Sequence, residues 1–277
     1  MDAAYLYQPR EVSIETFTLC NARCTFCPYP TLDRKGTKMD TSTLLRLHEE
    51  MRDFKRPFFF SPFKVNEPLL DDRLESYCQL IDEENPMASL RLFTNGQPLT
   101  MKTLEWIAKL KRVEHLWVSL NSTNPVEYRT LMGLDLFKVI QKLDGLHWLI
   151  VNQKFPHKVV VSRVKQDCPE DVEFLKWCGR YWPRFDAILL DRKGWLGHVE
   201  PSNPTIPAKP CVRWEELSVM SDGRVALCCM DGTGEFAIGN VHEKTLLEIY
   251  NDPKLTERRR RKLSRYEVGE PCHRCNY

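Results

Sequence analysis

The chain has 277 residues, with 40 Lys+Arg against 38 Asp+Glu and a formal charge of +2. That length excludes a minimal domain and suits either one barrel-like domain or a domain with an appendage. So balanced a charge excludes bulk electrostatic attraction to nucleic acid or to a membrane surface, and neither is expected as a partner. There are eleven cysteines, but Met1 to Arg10 holds no apolar signal segment and no run is long enough to span a bilayer. A reducing cytoplasm is therefore the expected location, and there closely spaced cysteines read as metal or cluster ligands rather than bridges.

In chain order, short β-branched or aromatic runs alternate with amphipathic ones. A strand is predicted over Val12–Phe17 and a helix over Thr41–Phe54 behind Asp40, followed by strand Phe58–Val65 and helix Asp72–Glu84. Strand Leu90–Phe93 precedes helix Met101–Lys111 behind Thr100. Strand His115–Leu120 precedes helices Pro125–Leu131 and Leu136–Leu143, and strand Lys158–Val164, helix Glu170–Tyr181 and strand Ala187–Leu190 complete the series. Six strands separated by helices predict an α/β fold with a parallel sheet.

In such folds ligands sit beyond the carboxyl ends of the strands. The sequence places a cysteine loop, Asn66-Glu67-Pro68, Thr94-Asn95-Gly96, and Ser119 with Asn121 at successive strand ends. Asp191 to Gly197 follows the sixth strand, where Trp195 either lines a substrate mouth or caps the core. Pro201, Pro204, Pro207 and Pro210 predict a linker over 201–210, dividing residues 1–200 from a small unit over 211–277. That unit has a predicted hairpin (Leu217–Met220, turn Ser221-Asp222-Gly223, Arg224–Cys228) and a helix near Leu246–Tyr250. The run Arg258 to Lys262 lacks interleaved aromatics and reads as a solvated helix face. Cys78, Cys168 and Cys178 read as buried packing residues, and His115, His147 and His198 have no ligand spacing.

Cys20, Cys24 and Cys27 place three thiols on one loop with no fourth nearby, which leaves one coordination site open on a bound cluster. A structural zinc site is the alternative, but it wants four ligands. The loop Cys20-Asn21-Ala22-Arg23-Cys24-Thr25-Phe26-Cys27 resembles the C-x3-C-x-aromatic-C signature of the radical S-adenosylmethionine superfamily, with Phe26 in the aromatic place. The resemblance implies a partial (β/α)6 barrel, a four-iron cluster on the three cysteines and S-adenosylmethionine on the open iron. Reductive cleavage there would give a 5′-deoxyadenosyl radical that abstracts hydrogen from substrate. It further implies that Asn66-Glu67-Pro68, standing for the family's Gly-Glu-Pro, contacts the methionine amino group, that Asn95 belongs to a Thr-Asn-Gly turn beside it, that Ser119 and Asn121 meet the ribose, and that Ser162 and Arg163 anchor the carboxylate. A flavodoxin- or ferredoxin-type reductase is implied as electron donor.

Cys211, Cys228, Cys272 and Cys275 make a second, complete ligand set, which zinc could also take. With Ser221-Asp222-Gly223 and Gly239-Asn240 they resemble the shortened, one-cluster form of the SPASM and twitch auxiliary domains, implying a second four-iron cluster. Cys229 is left over, as an inert thiol, a replacement ligand or a hydrogen-atom donor of an epimerase. The expected substrate is a small polar metabolite of the sugar or aminoglycoside kind, undergoing dehydrogenation or epimerisation. Modification of a ribosomal peptide is the alternative, set second because only about ten residues precede the first strand, fewer than a leader-binding domain needs. A metal-stabilised binding module without catalysis is the reading from another class.

Overall fold

The computed structural model describes residues 2–277. In β3 (Ala88–Thr94), Ala88, Leu90, Leu92 and Thr94 are buried while Ser89, Arg91 and Phe93 face the other way, the period of two that a pleated strand imposes. The same alternation sends Val12 and Ile14 of β1 (Glu11–Ile14), Phe58 and Phe60 of β2 (Phe58–Ser61), and Leu116 and Val118 of β4 (Val113–Ser119) into one core. Val159 and Val161 of β5 (Val159–Val164) join them. β6 (Asp186–Leu190) closes the series of parallel strands.

Across from that core face lie α1 (Thr41–Arg52), α2 (Leu74–Glu84), α3 (Met101–Lys109), α4 (Pro125–Met132), α5 (Leu136–Val151) and α6 (Glu170–Tyr181). Their buried sides, such as Leu44, Leu47 and Met51 or Leu143, Leu146 and Leu149, join the same cluster. Local signals set the ends: Thr100 caps α3, Asn124 caps α4 ahead of Pro125, and Gly133 ends α4 at φ 69°, where glycine carries no Cβ penalty.

The sheet has nine strands in the order β6-β5-β4-β3-β2-β1-β7-β8-β9. It does not close on itself, so the first six strands form an open, partial barrel of the TIM-like kind. β7 (Glu216–Val219) pairs in parallel with β1, Glu11 opposite Glu216 and Ile14 opposite Val219. β8 (Arg224–Ala226) and β9 (Ala237–Asn240) follow antiparallel. Residues on the C-terminal side of the proline-rich stretch therefore extend the barrel's own sheet. Leu217, Val219, Val225 and Val241, with Leu246, Ile249 and Tyr250 of α7 (Leu246–Tyr250), share the barrel's hydrophobic core.

Several expectations change. α5 runs past Leu143 to Val151, because the apolar face continues through Leu146 and Leu149 and a single glycine, Gly145, does not break it. β9 has no forecast. The basic run lies on α8 (Pro253–Arg260) and its end, and it is not a uniformly solvated face. Arg259 is 4% exposed, donates to the carbonyls of Tyr250 (2.6 Å) and Leu6 (3.1 Å) and covers the Tyr250 ring, while Arg258 covers Trp214; long cationic side chains bury their stems readily. Cys78 and Cys178 are buried, but Cys168 is half-buried at the turn before α6, beside Arg163 and Asp171. His115 is buried against Phe93 and Trp117 on the inner face of the sheet.

A shared sheet and core predict one cooperative unit. Leu217→Ala, at the β1–β7 seam, should cost about 2–4 kcal/mol. In cluster-free protein, urea unfolding followed by tryptophan fluorescence and by far-ultraviolet dichroism should coincide, and two separated transitions would contradict the continuous seam.

Candidate metal centres and the chamber between them

The turn after β1 carries Cys20, Cys24 and Cys27 on a loop pinned from several sides. Arg23 and Thr25 donate backbone N–H groups to the carbonyls of Met132 (2.9 Å) and Leu131 (3.0 Å) at the end of α4, and the N–H of Glu67 reaches the carbonyl of Leu19 (2.8 Å). The Tyr29 hydroxyl accepts from the N–H of Cys20 at 2.9 Å. Trp195 lies over this loop, its indole N–H donating to the Phe26 carbonyl at 3.1 Å, so it packs on the cysteine loop and not on the main core.

Burial pushes the Cys20 thiol up to about 11 and the Cys27 thiol up to about 12. Burial also raises Cys24 strongly, and the neighbouring Cys27 and Cys20 raise it further. Three half-buried thiols that resist ionisation together are a donor set that a metal cluster's positive iron ions would convert to thiolates. The set fits a cluster held by three cysteines.

Glu67 is buried beside them. Its carboxylate accepts the backbone N–H groups of Asn95 (2.6 Å) and Leu69 (3.2 Å), yet burial outweighs these bonds and pushes it up to about 7. Asn66 accepts the N–H of Lys64 at 3.0 Å, and its buried Nδ2 has no partner within the protein. Pro68 begins a single turn over Pro68–Leu70. Asn95 donates to Asn21 (2.7 Å), and Gly96 follows at φ 81°. Asn121, at φ 63°, donates to Ser119 Oγ (2.8 Å) and to Met132 Sδ (3.2 Å), and that same sulfur lies 3.3 Å from Cys24 Sγ. The rim thus gathers Cys20, Cys24, Cys27, Glu67, Asn95 and Asn121.

Ser162 and Arg163 have other work. Ser162 Oγ accepts from the indole N–H of Trp117 at 2.8 Å. Arg163 donates to Asp171 (2.7 Å), to Glu127 (2.7 Å), to the Asn121 carbonyl (2.5 Å) and toward Cys168 (3.5 Å). Where the resemblance implies a carboxylate anchor, its guanidinium has all its donors engaged inside the protein and holds the strained Asn121 in place.

In the second set, Cys211 and Cys272 are buried in one small cluster with Trp214 and Leu227. Cys211 feels the charges of Cys275 and Cys272, Cys228 feels that of Cys275, and Arg258 faces Cys272, Cys228 and Cys211. Four thiols converge, with Arg258 and Arg265 beside them to balance the negative charge of a thiolate-ligated centre. These four fit a centre with a full protein ligand set. Cys229 turns away from it, toward Arg213, Glu216, Lys64 and Glu11, and burial pushes its thiol up to about 12.

Those residues face the inside of the barrel. One wall is aromatic: Phe63 stacks on Phe93 with ring centres 4.9 Å apart, and Trp117 lies 5.7 Å from Phe93. Next to it the same face is polar. Arg91 bonds Glu11 at 2.7 Å over the Phe59 ring, Ser61 bonds Glu11 at 2.8 Å, and Arg213 clasps both oxygens of Glu216 at 2.8 Å. Glu15, Lys64, Met132 and Arg91 escape sequence reasoning because their partners come from distant segments. Placement just after β1 and β2 could have signalled Glu15 and Lys64, and the inner phase of β3 could have signalled Arg91, but Met132, at the end of α4, carries no such signal.

Comparison with known proteins agrees with this layout. The radical SAM superfamily matches residues 14–147, and an iron-sulfur cluster-binding domain, SPASM, matches residues 211–276. The S-adenosyl-L-methionine-dependent 2-deoxy-scyllo-inosamine dehydrogenase of Niallia circulans is 24% identical over 268 residues, covering 96% of this chain and 92% of that protein. The crystal structure of BtrN with AdoMet and 2-DOIA is similar at a TM-score of 0.68 and 20% identity, over 97% of this chain and 93% of that one. Streptococcus suis SuiB bound to the precursor peptide SuiA gives 0.69 and 15%, over 91% of this chain and 66% of that one. At such identities the structural likenesses establish the fold. Among the described residues, no helix is long and apolar enough to cross a membrane.

Glu67 supplies a pH test. Its folded pKa, about 7, lies above the ordinary carboxyl value of 4.5, so its stabilising contribution is full below about pH 4.5 and is lost as pH rises through 7. In cluster-free protein, the urea midpoint of the parent relative to Glu67→Gln should therefore fall between pH 5 and pH 8. A pH-independent difference would show that Glu67 ionises normally.

Proposed function

Because the chain belongs to the radical S-adenosylmethionine superfamily, we propose that it dehydrogenates a small hydroxylated ring compound of the aminocyclitol or sugar kind. The observation that carries this reading is the mixed character of the inner face of the sheet. The aromatic wall of Phe63, Phe93 and Trp117 suits the C–H face of a saturated ring, while Glu11, Glu216, Ser218 and Lys64 offer partners for hydroxyl and amino groups, the mixture of apolar surface and few placed polar groups that small-molecule sites show. The dehydrogenase from Niallia circulans, similar along nearly its whole length, supports the same class.

Cys20, Cys24 and Cys27 would hold the cluster that binds the cosubstrate, and Cys211, Cys228, Cys272 and Cys275 the auxiliary one. When bound, cluster and S-adenosylmethionine supply an agent that takes a hydrogen atom from the carbinol carbon, after which loss of one proton and one electron leaves a carbonyl. Around them Asn66, Glu67 and Pro68 would meet the amino group and Ser119 and Asn121 the ribose, with Asn95 in the turn beside Glu67. A flavodoxin- or ferredoxin-type protein would supply the first electron. None of the eleven cysteines is joined in a disulfide, and a reducing cytoplasm is the location proposed from their close spacing.

A second reading, modification of a ribosomal peptide, draws on the unpaired edge of β6, which could accept an extended chain, and on the likeness to peptide-bound SuiB. The density of paired polar groups on the inner face, Arg91 with Glu11 and Arg213 with Glu216, favours the small molecule.

Anaerobically reconstituted protein should hold about eight irons, as two four-iron clusters require. It should release 5′-deoxyadenosine with dithionite and S-adenosylmethionine, and Cys24→Ala should abolish that release. Zinc without deoxyadenosine would place the chain among metal-stabilised binding modules instead.

Cys229 separates dehydrogenation from epimerisation. With an accepted aminocyclitol in deuterated water, a dehydrogenase should give the ketone with no deuterium at the reacting carbon and should keep turning over as Cys229→Ala. Deuterium incorporated only when Cys229 is present would assign it as a hydrogen-atom donor.

A further inference from the structure

Lys64 stands between the two cysteine sets. It follows β2, two residues before Asn66-Glu67-Pro68, and is 3% exposed. Its ammonium donates to Ser218 Oγ on β7 at 3.1 Å and to the backbone carbonyl of Cys228 at 3.3 Å. Glu15, Cys229 and Asp231 surround it. One side chain from the cosubstrate rim thus touches the backbone of a cysteine in the auxiliary set.

A buried ammonium is costly to desolvate, by several kcal/mol. Apolar side chains of similar length would fill the same space without that cost, so a charge kept here has an electrostatic consequence. An ammonium has three donors, and two are accounted for within the protein. A positive charge beside a thiolate-ligated iron–sulfur centre favours the state carrying one more electron, and local charge and hydrogen bonding are the main means by which a protein sets such a potential.

We propose that Lys64 raises the reduction potential of the auxiliary cluster and so keeps it an electron acceptor for the chamber. Loss of a hydrogen atom from a carbinol carbon leaves a carbon-centred radical. It becomes a carbonyl by giving up the hydroxyl proton to water and one electron, which a centre held by Cys211, Cys228, Cys272 and Cys275 would accept. Lys64 acts through the centre and is a positioning and tuning residue. The proposal rests on the reading of Cys211, Cys228, Cys272 and Cys275 as cluster ligands.

The test uses the full chain with Cys20, Cys24 and Cys27 all replaced by alanine, so that only the auxiliary centre is loaded. Iron and sulfide are counted first, then the midpoint potential is measured by dye-mediated titration followed by electron paramagnetic resonance. Lys64→Gln, which keeps a hydrogen-bond donor but no charge, and Lys64→Met should both shift the midpoint to more negative values. Lys64→Arg should restore it toward the parent. A Lys64→Gln protein with full iron and sulfide and an unchanged midpoint would overturn the role of Lys64. A parent background that binds no iron and sulfide would overturn the cluster reading itself, and the inference with it.

Discussion

A single buried carboxylate, that of Glu15, joins the parts on which both centres depend. It follows β1 directly, is 0% exposed, and accepts from Thr18 Oγ1 at 2.8 Å, from the N–H of Val65 at 3.2 Å and from the N–H of Ser221 at 3.5 Å. Arg34 pairs with it and also donates to the carbonyl of Gly232 at 2.7 Å. One carboxylate therefore ties together the start of the cysteine loop, the segment returning from it, the turn before Asn66 and the tip of the C-terminal hairpin. Burying such a charge is tolerable only because so many donors meet it; leaving a buried pair half-broken costs about 3–5 kcal/mol. The hydroxyls of Thr18 and Ser221, 2.5 Å apart, close the same knot.

The sequence already disclosed what depends on short-range pattern. Six strands, their helices and the two cysteine sets follow from alternation, caps and spacing, and the structure has those six strands in parallel order. What stayed hidden depends on contacts between segments far apart in the chain. Arg163 sits at a strand end where a ligand contact is reasonable, yet Glu127 from an earlier helix and Asp171 from the next one claim it. Arg259 belongs to a run of charges that reads as solvated, yet a tyrosine ring and two carbonyls from other segments bury it. β9 is too short and too polar, Ala237-Ile238-Gly239-Asn240, to announce itself, and it exists because β8 offers an edge.

The proline-rich stretch illustrates the same limit. Four prolines exclude a helix or central strand and suggest a linker, and the chain beyond fastens that stretch down. Arg265 donates to the carbonyls of Lys209 (2.6 Å), Pro207 (3.4 Å) and Tyr277 (2.7 Å), and Asn276 bridges the N–H of Gly194 (3.0 Å) and the carbonyl of Asn203 (2.8 Å). Proline lowers the entropy of the unfolded segment, and these bonds fix the course that remains. The segment is a strap along the barrel rim, next to the loop whose Trp195 covers the cysteine loop.

With the strap fixed and β7 hydrogen-bonded to β1, the spacing between the two cysteine sets is a property of the sheet rather than of a hinge. The register makes this concrete. Glu11 opposite Glu216 and Ser13 opposite Ser218 put side chains from both units on one inner wall, and Lys64 reaches that wall at Ser218. A substrate bound there would meet the cosubstrate rim at the carboxyl ends of β1 to β4 and the auxiliary thiols beside β8. In the proposed reaction, an electron leaving the reacting carbon would pass to an acceptor held on the same sheet. A rigid sheet suits such chemistry because electron transfer weakens steeply with distance, and a domain free to swing would spend much of its time too far away. The parallel pairing of β7 with β1 is thus both the packing that buries Leu217 and Val219 and the geometry that holds the second cysteine set against the barrel's own sheet.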